Sequence, residues 1–204
     1  MRLYIKGDYT KTDFYDEFKE IAQKMWFKER KGIPLDFSYA WDEYLHLNLR
    51  LDKFKHNDER WESANFYKNI NPWKTFEYEN LTLDLENSYE SDGREKGDYL
   101  RIISTHLDIL TVDKRAFYIM AIEIATAIDG KISEDDKESW LSVEQFKNRH
   151  EDILSMSYEQ SNELSLKEIP SMDDVRDPVW AEDDRRNEEY IRIHGEVELD
   201  DEDE

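Results

Sequence analysis

Tyr44-Leu45-His46-Leu47-Asn48-Leu49-Arg50-Leu51 places a leucine at every second position, with histidine, asparagine and arginine between. Successive side chains on a strand point to opposite faces, so this pattern predicts a half-buried strand with one apolar and one polar face. Leu81, Leu83 and Leu85 alternate with Thr82, Asp84 and Glu86 and predict a second strand, beginning as early as Phe76. Leu35 to Tyr39 is the expected hairpin partner of the first, turning through Asp42-Glu43. Leu3-Tyr4-Ile5, ended by Gly7-Asp8, predicts another strand at the start of the chain.

Helical spacing surrounds these strands. Phe14, Phe18, Ile21, Ala22 and Met25 recur at three- and four-residue steps behind a Thr12 or Asp13 cap and stop before Gly32-Ile33-Pro34. Between the leucine strands runs a polar, aromatic stretch from Phe54 to Trp73, with a turn at Asn71-Pro72, and residues 87–98 read as a loop. Leu100, Ile102, Ile103, Leu107 and Leu110 predict a helix. The strongest helix is Lys114 to Ile128, where Phe117, Met120, Ala121, Ile124, Ala125 and Ile128 make one stripe. Asp129-Gly130 ends it, with Gly130 as the expected left-handed cap. Ser142 and Gln145 form a capping box for a last helix to about Leu154. The expected fold is α+β over 1–154, an antiparallel sheet packed against several helices. Beyond Leu154 the apolar pattern thins, so 155–204 is expected to be an extended acidic arm, at least partly disordered, with a small hairpin over Tyr190–Leu199 as one option.

Charge dominates the composition: 50 Asp+Glu against 28 Lys+Arg in 204 residues give a formal net charge of −22. Past Met172 there are 15 acidic residues and four basic ones, which is half of that net charge. Such a surface repels nucleic acid and anionic lipid and attracts basic proteins. The expected partner is a basic protein, a toxin or a nuclease, with no nucleic acid and no membrane bound. Six Trp, 12 Tyr and nine Phe argue against a chain disordered throughout. The absence of cysteine excludes disulfides, thiolate zinc sites and cysteine nucleophiles. No signal-peptide pattern and no run of roughly 20 apolar residues is seen, so the expected compartment is the cytoplasm.

No motif points to a reaction. Asp129-Gly130-Lys131-Ile132 has the outline of half a calcium loop, but aligning Gly130 with the loop's glycine puts Ala125 and Ala127 at ligand positions, where they offer no side-chain oxygen. His46, His56, His106, His150 and His194 are too far apart for a local zinc pattern. Phosphate loops, dinucleotide fingerprints and nucleophile elbows are missing from a chain with six glycines. No cofactor, metal or catalytic residue is therefore expected. Two surfaces remain. The polar face of the leucine strand, Tyr44, His46, Asn48 and Arg50, is either a solvated face or a small enzyme site. The acidic tail is either a solubiliser or a charge mimic whose carboxylates replace phosphates in a basic groove. On the second reading the partner-binding residues are Asp183, Asp184, Glu188, Glu189, Glu196, Glu198, Asp200 and Asp201.

The stretch from Ala121 to Leu154, AIEIATAIDGKISEDDKESWLSVEQFKNRHEDIL, combines an apolar helix, an Asp-Gly-Lys-Ile turn, an acidic segment with Trp140 and a short closing helix. It resembles the C-terminal part of small immunity proteins that accompany polymorphic toxins of Gram-positive bacteria, and the opening LYIKGDY is compatible with the same group. The resemblance implies a cytoplasmic antitoxin that binds and blocks one toxin without catalysis. It carries over no site residue. An acidic phage-type inhibitor of a defence nuclease, such as a CRISPR effector, is the second expectation, and an enzyme on the Tyr44/His46/Asn48/Arg50 face is the third.

Overall fold

The computed structural model describes residues 1–8, 11, 37–38, 46–52, 61, 78–85, 99–172 and 192–193. Seven strands form one antiparallel sheet: β1 (Arg2–Lys6), β2 (Phe37–Ser38), β3 (His46–Asp52), β4 (Tyr78–Leu85), β5 (Leu100–Ser104), β6 (Lys131–Ser133) and β7 (Leu141–Ser142). Their order is β2-β3-β4-β5-β1-β6-β7. The leucine strand and its relative at 81–85 are both present and pair with each other, Leu47 opposite Leu83 and Leu49 opposite Leu81. Phe37 lies opposite Leu49, as expected of the hairpin partner. The turn at 42–43, the helix after Thr12 and the stretches 54–60, 62–73 and 87–98 fall outside the described residues.

Residues 100–104 are a strand rather than the expected helix. Leu100 and Ile102 face the helical layer, while Ile103 is closed from solvent on the other side, at 0% exposure. A strand buried on both faces loses its alternation, and short apolar runs then fit either period. The β-branched pair Ile102-Ile103 and the ladder to Leu3 and Thr82 decide for the sheet.

Helix α1 (Thr111–Ala127) crosses this sheet. Its stripe Phe117, Met120, Ala121, Ile124, Ala125 and Ile128 joins Leu3, Ile5, Leu81, Leu83, Leu100, Ile102 and Ile132 in one core. At the helix end the left-handed residue is Asp129, with φ 51°, not Gly130. Gly130 serves a different need: a Cβ there would stand 2.8 Å from the carbonyl oxygen of Lys6. Gly7 is as tight, with Ile128 Cγ1 2.6 Å from a Cβ position. The two glycines let β1 and the helix end touch.

Helices α2 (Val143–Arg149) and α3 (Glu151–Leu154) follow, α2 opened by the Ser142/Gln145 capping box. The chain does not then leave as an arm. A second capping box, Ser157 with Gln160, opens α4 (Tyr158–Glu168), and one 3-10 turn, Ile169–Ser171, completes it. The folded unit therefore runs past 154 to Met172, which packs on the core. The pattern thins there because α4 buries Ser161, Asn162 and Ser165 alongside Tyr158, so a hydrophobic count passes over it. Arg192 and Ile193 are helical, which removes them from the expected hairpin strand. Among the described residues no helix is long and apolar enough to cross a membrane.

Candidate functional site

The acidic positions expected to meet a partner, Asp183, Asp184, Glu188, Glu189, Glu196, Glu198, Asp200 and Asp201, lie outside the described residues, as does Tyr44. Positions 46, 48 and 50 fall on β3 opposite Asp84, Thr82 and Asn80. The pleat thus gives them the sheet face away from α1. One row on that face reads His46, Asp84, Arg101, Tyr4, Ser133 across five strands. Asp84 is 2% exposed and is gripped by Arg101 as a two-pronged ion pair, Nε to Oδ1 3.0 Å and NH2 to Oδ2 2.9 Å. A buried carboxylate of this kind needs such a fork to offset its lost hydration.

Two histidines meet carboxylates. Glu79, 5% exposed, receives the backbone N–H of Thr105 at 2.8 Å, and its Oε2 lies 2.8 Å from His106 Nδ1. This ties the end of β5 to β4. His150 stands at the junction of α2 and α3, with Nε2 2.7 Å from Glu134 Oε1, while Arg149 donates to Oε2 at 2.9 Å. The imidazole completes a cluster of three rings, 4.1 Å from Tyr118 and 4.6 Å from Phe146 between centres, while Tyr118 and Phe146 meet edge to face at 5.3 Å. Burial, with Glu134 and Asp152 nearby, pushes the Tyr118 phenol well above its usual pKa, so it stays neutral. Both clusters join separate elements of the fold, and among the described residues no group of His, Asp or Glu could hold a metal ion.

A third cluster sits on the same sheet face as Arg101. Tyr99 stacks on Trp140 with centres 5.4 Å apart and planes 19° apart. Lys6 and Lys137 stand over Tyr99, and Lys137 also over Tyr4. The β6–β7 turn that delivers Lys137 is organised by Asp135. Its carboxylate accepts from Ser133 Oγ at 2.8 Å, from the Ser139 amide at 2.9 Å and from the Ser139 hydroxyl. Those bonds, Ser139 first, hold its pKa down to about 2. Sequence reasoning singled out Trp140 only as part of a resemblance. The register that brings Tyr99, Lys6 and Lys131 side by side is a long-range property and leaves no local signal.

Compared with known protein families, with curated proteins and with solved structures, the chain finds no match.

Proposed function

We propose that this chain is a non-enzymatic inhibitor that binds and blocks a basic protein, with a bacterial toxin as its first target, in the manner of an immunity protein. The observation that carries this reading is the charge: −22 in total, half of it past Met172. A field of that sign steers a basic partner into contact, and spaced carboxylates compete with phosphates for a nucleic-acid groove. Glu144, Glu151, Asp152, Glu159 and Glu163 add exposed acid on α2, α3 and α4. An acidic inhibitor of a defence nuclease would use the same physics.

Protection is the test. The product of the neighbouring reading frame is expressed alone and together with this chain. Growth arrest alone, relief on co-expression and a co-purifying complex are expected. A harmless neighbour, or toxicity that this chain does not relieve, would remove the toxin reading. Metal-dependent hydrolysis by the purified protein, lost in His46→Ala, would replace inhibition by catalysis.

A further inference from the structure

The sequence carries two Asp-Gly pairs, Asp92-Gly93 and Asp129-Gly130, and the second lies among the described residues. In such a pair the glycine nitrogen meets little hindrance in attacking the aspartate's own carboxyl carbon, since glycine has no Cβ. A bond forms from that nitrogen to Cγ. The hydroxyl of the protonated carboxyl group leaves with the amide proton as water, and a five-membered succinimide remains. Water then opens the ring. Addition at Cγ restores aspartate. Addition at the main-chain carbonyl carbon gives isoaspartate, whose backbone runs through Cβ and Cγ and is one carbon longer.

The Asp129 side chain is 82% exposed, so water and acid reach its carboxyl group. The nitrogen that would attack it is engaged. Gly130 N–H donates to Ala125 O at 2.7 Å and closes the end of α1. Attack requires that proton to leave and the peptide to turn toward Cγ. The strand side resists such a turn. Asp8 N–H donates to Ile128 O at 3.2 Å, and a Cβ at Gly130 would stand 2.8 Å from the Lys6 carbonyl oxygen. Lys11 Nζ also holds one Asp129 carboxylate oxygen at 3.0 Å.

We propose that Asp129-Gly130 is a site of spontaneous isoaspartate formation, gated by the joint between β1 and the end of α1. The closed joint withholds the nitrogen. Local opening, which costs less than global unfolding, releases it. The product cannot close the joint again. A longer backbone at 129 must fit where Gly130 already leaves no room for a single carbon against Lys6 O and Ile128. Each opening of the joint therefore exposes the chain to a covalent change that removes the contact. Isoaspartate at 129 records how often the joint has opened.

The full chain is incubated at neutral pH in buffer and in guanidinium chloride. Peptide mapping with electron-transfer fragmentation then separates isoaspartate from aspartate at residue 129. Conversion in buffer is expected to be at least about tenfold slower than in guanidinium, the factor of a modest local opening. Asp92-Gly93, read in the same maps, is the positive control in guanidinium. Gly7→Ala sets a Cβ 2.6 Å from Ile128 Cγ1 and loosens the joint. It should speed conversion in buffer by roughly fivefold or more, the scale of one strained packing contact. The comparison on the parent chain decides even where that variant does not fold. Asp129→Glu should lack the product, because its ring would need six members. The converted chain, refolded and separated from the unconverted one, should melt at least about 3 °C lower. Equal rates in buffer and guanidinium remove the gate. No isoaspartate at 129 in guanidinium removes the site. Equal melting of the converted chain means that the joint tolerates the longer backbone. Any one of these results overturns the proposal.

Discussion

Glu168 caps a helix that begins 57 residues earlier: its Oε2 accepts the backbone N–H of Thr111 at 2.9 Å, and its Oε1 accepts the Thr111 hydroxyl. Leu110, at the N-cap position of α1, has no side chain able to accept those amides. Ser165 takes the next one, Val112 N–H to Oγ at 2.8 Å. Residues of α4 thus satisfy the first two free amides of the central helix, and a carboxylate there also suits the helix dipole. Glu168→Ala is expected to lower stability by about 1–2 kcal/mol, the usual worth of an N-cap with its charge. Ser165→Ala should cost about 1 kcal/mol, since it leaves a buried amide unpaired. Urea unfolding of the full chain measures both. A chain cut after Leu154 should fail to unfold cooperatively, whereas one cut after Met172 should keep its transition; equal behaviour of the two would contradict this role of α4.

The end of α1 makes a pair of predictions with opposite signs. Gly130→Ala drives a Cβ against the Lys6 carbonyl at 2.8 Å, where backbone must yield, and should cost roughly 1–3 kcal/mol. Asp129→Gly relieves a left-handed φ of 51° and gives up only an exposed ion pair to Lys11, 3.0 Å long. It should be neutral or raise stability by about 0.5 kcal/mol. Thermal unfolding of both variants decides, and a stabilising Gly130→Ala would show that the strand and helix end are not in contact.

Tyr118 should leave a mark on alkaline unfolding. Its phenol is 4% exposed, and burial first, then Glu134 and Asp152, raises its pKa in the fold. In the unfolded chain it ionises near pH 10. Above that pH the unfolded state binds fewer protons than the fold, so stability falls as pH rises. Below pH 10 the contribution is fully present. Tyr118→Phe removes the group that titrates, so its melting temperature should drop less than that of the parent chain between about pH 9 and 11. Parallel curves for the two proteins would mean that the phenol ionises freely in the fold.

The legible parts of this fold are those with a local period. β3 and β4 are legible because each alternates over six residues or more, and α1 because its stripe from Phe117 to Ile128 repeats over about three turns. The α2 cap was readable because Ser142-x-x-Gln145 satisfies its own amides. The same spelling at Ser157-x-x-Gln160 opens α4. The helix behind it buries serine and asparagine, so it carries no apolar stripe to mark it in the sequence. Asn162 shows why: its Oδ1 accepts the indole N–H of the fully buried Trp61 at 2.9 Å, a pairing 101 residues apart in sequence. Polar burial of this kind is stable only with its partner, and the partner is invisible to a window of sequence. The cluster around Tyr99 is hidden for the same reason, since Lys6, Tyr99 and Lys137 meet only through the order of β5, β1 and β6.

The proposed encounter with a basic partner should depend on salt through the rate of association. Screening shortens the reach of exposed charges to about 8 Å at physiological ionic strength. Raising salt from about 50 to 500 mM should therefore slow association by roughly tenfold or more, with a smaller effect on dissociation. The cut after Met172 removes half of the net charge and leaves α4 with its caps on Thr111 and Val112. It should flatten the salt dependence in stopped-flow or surface-binding kinetics. If the removed carboxylates fill a groove on the partner, dissociation should also quicken; if they only steer and solubilise, dissociation should stay as it was. Association that ignores salt, or a partner that proves acidic, would exclude charge mimicry and leave recognition to the shape of the folded unit.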